Sequence, residues 1–275
     1  LKMAFHSWSN RGRPEKNRFV HLAGGYHGET AGALAVTDVP LFRDAYAPLL
    51  RESLQAPFPG SKAPASAQAA EQASDALARL FEARGREIAA LIVEPLVQGA
   101  SGMRMHDPLY LRRARELCDR HGVLLIADEI MTGFGRTGTM FACEQAGIAP
   151  DLMCLSKGIT GGYLPLSCVL ATDDVYAAFY DERVARGFLH SHSYTGNPLA
   201  CRAACAVLDL FERGGVVRSN VAKAARFDAI ARPLAAHPAV RHWRRLGMIW
   251  AFEVAGAGRD FPRAAAELAM RRHAL

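Results

Sequence analysis

Two apolar runs in this chain stop at residues that can do chemistry. Leu124-Leu125-Ile126-Ala127 ends in Asp128-Glu129, and the run from Asp151 to Ser156 delivers Lys157, followed by Gly158, Gly161 and Gly162. An unpaired carboxylate in an apolar setting is costly, so Asp128 calls for a cationic partner. A lysine at the end of an apolar strand is expected to lose hydration, and with it part of its preference for the charged form. That makes it a nucleophile toward an aldehyde.

The two features support each other in one chemistry. An enzyme that uses pyridoxal 5′-phosphate (PLP) needs a lysine to form a Schiff base with the aldehyde. It also needs an acid to keep the pyridine nitrogen protonated, so that the ring can act as an electron sink. A protonated pyridine would satisfy Asp128, and Lys157 would hold the aldehyde carbon. A structural ion pair at the edge of a sheet accounts equally well for the two strand endings taken alone.

Other segments offer candidate contacts. Gly24-Gly25-Tyr26-His27-Gly28 lies between an apolar run and a small-residue helix expected over residues 29–36. Its glycines permit close backbone approach, and Tyr26 can lie flat against a planar cofactor or pack in the core. The polar segment His190 to Pro198 leads into a helix whose N-terminus would attract an anion, with Ser193 and Thr195 as phosphate donors. Glu94 ends its own apolar run. Arg136 sits in the glycine-rich stretch Thr132 to Gly138, where it suits recognition of an anion or an internal salt bridge. His190 and His192 lack a carboxylate or cysteine at zinc spacing, so no metal is expected and Cys201 and Cys205 are read as helix core.

The elements that must position these residues are short apolar runs alternating with helical patterns. Residues 18–22, 89–94, 123–128, 153–156 and 167–171 read as strands, and their near-continuous apolarity predicts a mostly parallel sheet covered by helices on both faces. Asp107-Pro108 is an N-cap followed by Pro at the first helical position. The helix it starts has Leu109, Leu111, Ala114 and Leu117 as its stripe and ends at His121-Gly122. Residues 57–69 read as an exposed connection before a helix over 70–84. Two long helices are expected over 199–213 and 217–234, then a strand over 248–254. The predicted division is a large domain over 1–213 and the start of a smaller α+β domain over 214–275. The chain opens as though inside a helix, and the helix expected over 264–275 has no terminal cap, which reads as an internal fragment.

Composition excludes other classes. Half of the 275 residues are hydrophobic, enough for a sizeable core, and the formal charge of +6 is scattered in pairs such as Arg244-Arg245, without the long basic run of a nucleic-acid binder. No apolar stretch approaches membrane-spanning length, and the six cysteines lack the paired spacing of a secreted disulfide scaffold. The expectation is a soluble cytoplasmic protein with reduced, buried thiols.

Taken in order and spacing, Leu125 to Ile130, Thr132 to Gly138 and Leu155 to Gly162 resemble the signature of the class III, fold-type I PLP-dependent aminotransferases. Lys2 to Phe5, Gly25 to Gly28, Val97 to Met105 and His190 to Pro198 carry a narrower likeness. It is to the branch of that family that aminates 8-amino-7-oxononanoate in biotin biosynthesis, and it runs over nearly the whole chain. The resemblance implies that Lys157 carries PLP and shuttles the proton, Asp128 pairs with the ring nitrogen and Tyr26 lines the substrate side. It further implies that Ser191 approaches substrate, with Arg136 a second candidate there, and that His192 and Ser193 reach the cofactor phosphate of the neighbouring subunit in a homodimer. S-adenosylmethionine is the implied amino donor. The family's glycine-serine phosphate segment and its substrate-carboxylate arginine fall outside residues 1–275, so the chain alone is expected to be nearly inactive. The alternatives are a class III enzyme acting on lysine, a diamine or an ω-amino acid, or a non-catalytic piece of the fold.

Overall fold

The computed structural model describes all residues except 61–64, 259 and 273–275. Part of the expected 57–69 connection and the last residues of the expected 264–275 helix therefore lie outside the described residues.

Among the described residues ten strands appear: β1 Arg18–Leu22, β2 Leu54–Ala56, β3 Ile88–Val93, β4 Val97–Gln98, β5 Arg104–Met105, β6 Leu124–Asp128, β7 Leu152–Leu155, β8 Cys168–Ala171, β9 Val240–Leu246 and β10 Ile249–Val254. The α-helices are α1 Lys2–Asn10, α2 Ala31–Leu34, α3 Pro40–Arg43, α4 Ala67–Arg84, α5 Pro108–His121, α6 Asp173–Ala177, α7 Pro198–Gly214, α8 Val216–Ala235 and α9 Phe261–Arg271. Six strands form the central sheet in the order β2-β1-β3-β6-β7-β8. All its pairings are parallel except β7 with β8.

The unbroken apolarity of β3 and β6 resolves into two faces. Leu91, Val93 and Leu125 pack with Leu77 and Phe81 of α4 and with Tyr110, Leu111 and Ala114 of α5. Ala90, Ile92, Leu124 and Ile126 point the other way and meet Ala4 and Trp8 of α1. Alternate residues thus bury against helices on opposite sides, as successive side chains of a strand must. Each fully buried Leu or Ile contributes about 1.5–3 kcal/mol, which is why this layer fixes the register.

The Asp107 side chain accepts from the Leu109 amide at 2.8 Å, and Gly122 closes α5 in the left-handed conformation, as the sequence predicts. The stripe is shifted, because Tyr110 is fully buried while Leu109 only packs against the core's edge. The expected 29–36 helix is a single turn, Ala31–Leu34. Its Ala-Gly sequence has few side chains to pack, and the β-branched Val36 and Thr37 follow directly. Four strands were not expected from the sequence, among them the two-residue β4 and β5. β2 has only three residues, and β9 is Val-Arg-His-Trp-Arg-Arg-Leu, too charged to register as an apolar run. Cys201 and Cys205 are exposed, contrary to the expectation of buried thiols. Helix α7 buries Ala200 and Ala204 instead, which places the cysteines one residue round the helix, off the buried face.

Parallel pairing brings the carboxyl ends of β1, β3, β6 and β7 to one edge of the sheet. The loops that carry Tyr26, Glu94, Asp128 and Lys157 leave from that edge, where open α/β sheets bind ligands.

Candidate active site

A cavity of about 490 Å³ opens at this edge, lined by Tyr26, His27, Glu94, Met103, Asp128 and Lys157 among others. Tertiary structure therefore joins four residues singled out from the sequence, Lys157, Asp128, Tyr26 and Glu94.

Asp128 is buried at 6% exposure, and its hydrogen-bonding neighbour is a residue not singled out from the sequence. His27 Nδ1 lies 2.8 Å from Asp128 Oδ2, with both side chains out of solvent. A carboxylate only accepts, so His27 presents its Nδ1–H there. Oδ1 accepts the Ile130 amide at 3.2 Å. The available signal was the histidine's place beside Tyr26 together with the need of Asp128 for a donor. The separation of 101 positions along the chain hid the match.

Lys157 begins a 3₁₀ turn after β7 with φ of +46°, a conformation costly for a residue with a side chain. Such strain persists only where the surroundings impose it. Here Phe134 packs against the next residue of the turn. A Cβ at Gly158 would lie 2.8 Å from the Phe134 ring, so glycine alone lets the ring press against the turn. The Lys157 side chain is exposed at the cavity and not desolvated as expected, since the residue already belongs to the turn that follows the buried strand.

Glu129, the other carboxylate of the strand end, points away from the cavity. It is fully buried and accepts from Thr132 Oγ1 at 2.5 Å and the Cys143 amide at 2.9 Å, holding the loop behind the sheet. Glu94 is different. It lines the cavity and accepts from the Tyr26 amide and the Gly99 amide, each at 3.0 Å, which ties two cavity loops together.

Burial pushes the Glu94 carboxyl above its ordinary 4.5, while His27 and the two amides pull in the opposite direction. A carboxyl with a raised folded pKa contributes its stability at low pH and loses it as pH climbs through that pKa. In the cofactor-free protein, wild type should therefore lose stability relative to Glu94→Gln as pH rises above 4.5. Thermal midpoints of both proteins, followed from about pH 4 to 8, check this. A gap that stays constant would show that Glu94 carries no such burial penalty.

Tyr26 is half-buried, with its hydroxyl donating to Glu29 Oε1 at 3.0 Å and its ring 5.0 Å from that of Phe42, so it walls the cavity and does not fill the core. Ser191, His192 and Ser193 are exposed on the loop before α7 and do not line the cavity. The His192 amide donates to Thr195 Oγ1 at 2.9 Å, and His190 Nδ1 lies 2.9 Å from Lys2 Nζ. The helix N-terminus expected to hold an anion is occupied by Asn197, whose side chain accepts from the Leu199 and Ala200 amides. Arg136 is exposed, lies outside the cavity lining and forms no ion pair among the described residues. No group of three or more His, Cys, Asp or Glu among the described residues is placed to hold a metal ion. No helix among them is long and apolar enough to cross a membrane.

The arrangement offers an amine, a buried carboxylate held by an imidazole, and an aromatic wall around one space. That set suits an aldehyde on a planar, protonated heterocycle.

Comparison with known proteins gives a consistent result. Residues 1–270 match the profile of the family described as Aminotransferase class-III. The chain is 49% identical over 220 residues to adenosylmethionine-8-amino-7-oxononanoate aminotransferase of Geobacter sulfurreducens, covering 77% of this chain and 48% of that protein. It is 44% identical over 260 residues to the Helicobacter pylori protein of the same name, covering 92% and 58%. The crystal structure of the Methanocaldococcus jannaschii protein of that name superposes with a TM-score of 0.85 at 33% identity, over 93% of this chain and 57% of that one. The chain thus spans about half the length of the relatives it matches.

Proposed function

Because this chain belongs to the class III aminotransferases, we propose that it forms the cofactor-binding part of an enzyme that transfers an amino group to 8-amino-7-oxononanoate, giving 7,8-diaminononanoate. The observation that carries this reading is the placement of Lys157, Asp128 and His27 around one cavity at the carboxyl edge of a parallel sheet. The relatives that share this sequence bear the name of that reaction.

The residues fit PLP. Asp128 would hold the ring nitrogen, since a buried carboxylate is stabilised by a protonated partner, and Tyr26 would wall the ring. PLP, when bound, supplies an aldehyde carbon and a ring that withdraws electrons from the substrate. Lys157 would hold it covalently through Nζ and, once an incoming amine has displaced it, take and return the proton on the amine-bearing carbon. His27 fixes Asp128 in place by the 2.8 Å contact, and Glu94 keeps the Tyr26 loop beside it.

The exposed loop carrying Ser191, His192 and Ser193 lies apart from this chain's own cavity, which suits a reach into a second copy. His192 and Ser193 would then meet the cofactor phosphate of the neighbouring subunit and Ser191 the substrate, in a homodimer. A second copy would also cover the apolar residues Val169, Leu170 and Leu199, which the single chain exposes. Arg136, exposed and without an ion-pair partner among the described residues, is available to an anionic group of the substrate. Residues 1–213 are assigned to the large cofactor domain and 214–275 to the start of a smaller one. The left-handed turn at Gly215, between α7 and α8, lies beside that proposed boundary and supports it.

S-adenosylmethionine is the proposed donor. A coupled assay on the intact protein with 8-amino-7-oxononanoate tests both substrates. Turnover with S-adenosylmethionine and not with lysine is expected, turnover with lysine alone would move the donor assignment, and none with either would remove the substrate assignment.

A further inference from the structure

We propose that Arg244 is a positioning residue for the cavity wall, reaching from the C-terminal hairpin to hold the loop that carries Met103. Its side chain sits on β9 at 6% exposure. Nε donates to the Met103 carbonyl at 2.8 Å, one terminal nitrogen donates to the Gly102 carbonyl, and the other donates to the His242 carbonyl at 2.8 Å. These are two successive carbonyls of a loop more than 140 residues away, taken by the rigid fork of one guanidinium. Arg244 forms no ion pair among the described residues, so its charge is spent on carbonyl dipoles.

The loop needs such a hold. Met103 has φ of +53° and Gly102 φ of +88°, and the amides of both turn back onto the Gly99 carbonyl at 3.2 Å. Glu94 fixes the Gly99 end, and Arg244 fixes the Met103 end. Met103 thereby lines the same cavity as Lys157.

The same hairpin grips a second loop. The Met248 amide donates to the Arg136 carbonyl at 2.9 Å. At Gly247 (φ +56°) a Cβ would lie 2.2 Å from the Thr137 carbonyl carbon. That loop carries Phe134, which presses on Gly158 beside Lys157. The hairpin therefore braces one wall of the cavity and the loop packed against the turn of Lys157, and Arg244 is the brace for the Met103 wall. The link to substrate binding rests on the function proposed above; the link to loop order does not.

The test compares Arg244→Met, which keeps side-chain length and packing, with Arg244→Lys, which keeps the charge without the fork, both in the intact PLP-loaded protein. Amide exchange over residues 99–105 should quicken about tenfold in Arg244→Met, the factor set by losing a charge-assisted hydrogen bond, while β3 and β6 stay protected. Lysine should restore little of it. KM for the keto substrate should rise about tenfold, with kcat and borohydride labelling of Lys157 near wild type. Met103→Ala, which leaves the hairpin intact, should raise KM similarly, and adding Arg244→Lys should raise it no further. Unchanged exchange over 99–105, a rise spread evenly over the whole chain, or a KM unaltered despite a loosened loop would each overturn the proposal. If wild type shows no turnover, the substrate assignment falls, and the exchange contrast alone decides whether Arg244 holds the loop.

Discussion

Lys157→Ala is expected to lower turnover by at least about 10³-fold, and to abolish the phosphopyridoxyl label that borohydride leaves on the wild-type protein in the presence of PLP. The size of the effect follows from two duties on one atom. Nζ would hold the cofactor covalently and would also carry the proton at the reacting carbon. A positioned acid–base group alone contributes about 10²–10⁴-fold. Stability should change little, and in the favourable direction where it changes. The side chain is exposed at the cavity, and its backbone is held in the left-handed region, so no buried contact is lost. Lys157→Gly should relieve the strained φ of +46° and unfold at a higher temperature than Lys157→Ala, while remaining equally inactive. Mass spectrometry of the reduced, digested protein reads the label. A label on another lysine, or persistent turnover in Lys157→Ala, would remove this residue from its proposed role.

Asp128→Asn should cost roughly 10²–10³-fold in turnover, because removing one partner of a buried charge pair costs about 3–5 kcal/mol. The substitution isolates charge from shape. A carboxamide has a single oxygen, so turned toward His27 it still accepts the Nδ1–H while the Ile130 amide loses its acceptor; the 2.8 Å contact and the fold should survive this. What is lost is the negative charge that would keep the heterocycle protonated. PLP should still attach to Lys157 in this variant, which distinguishes it from Lys157→Ala. Its bound absorption and borohydride label should persist while turnover falls. Wild-type turnover in Asp128→Asn would show that the buried carboxylate serves the fold and not the ring. His27→Phe leaves the carboxylate without its imidazole, so a loss smaller than that of Asp128→Asn is expected, together with a lower unfolding temperature.

Both residues could be found from sequence because each stands where an apolar run stops. Strands buried on both faces leave a run of Leu, Ile, Val and Ala that is hard to mistake, and its last residue marks a sheet edge. Parallel pairing of β6 with β7 then places those ends together. The same logic found α5, where the capping residues are local to the chain. It missed β9, where three arginines and a histidine obscure the pattern, because one face of that hairpin is not covered by helices and can carry charge.

The sequence by itself determined the sheet, its mostly parallel pairing, the family resemblance and four candidate residues around the cavity, Tyr26, Glu94, Asp128 and Lys157. All of these are written in local periods, caps and strand ends that depend on a residue and its near neighbours. Tertiary structure decided the rest. It paired His27 with Asp128, turned Glu129 into the interior while leaving Glu94 at the cavity, left Lys157 exposed there, and set Arg244 on the Met103 loop. Each of those contacts, apart from the turn at Lys157, joins segments far apart in the chain or depends on which face of an element is covered. The packing of helices on a twisted sheet fixes such distances to fractions of an ångström, and residue spacing alone carries no record of them.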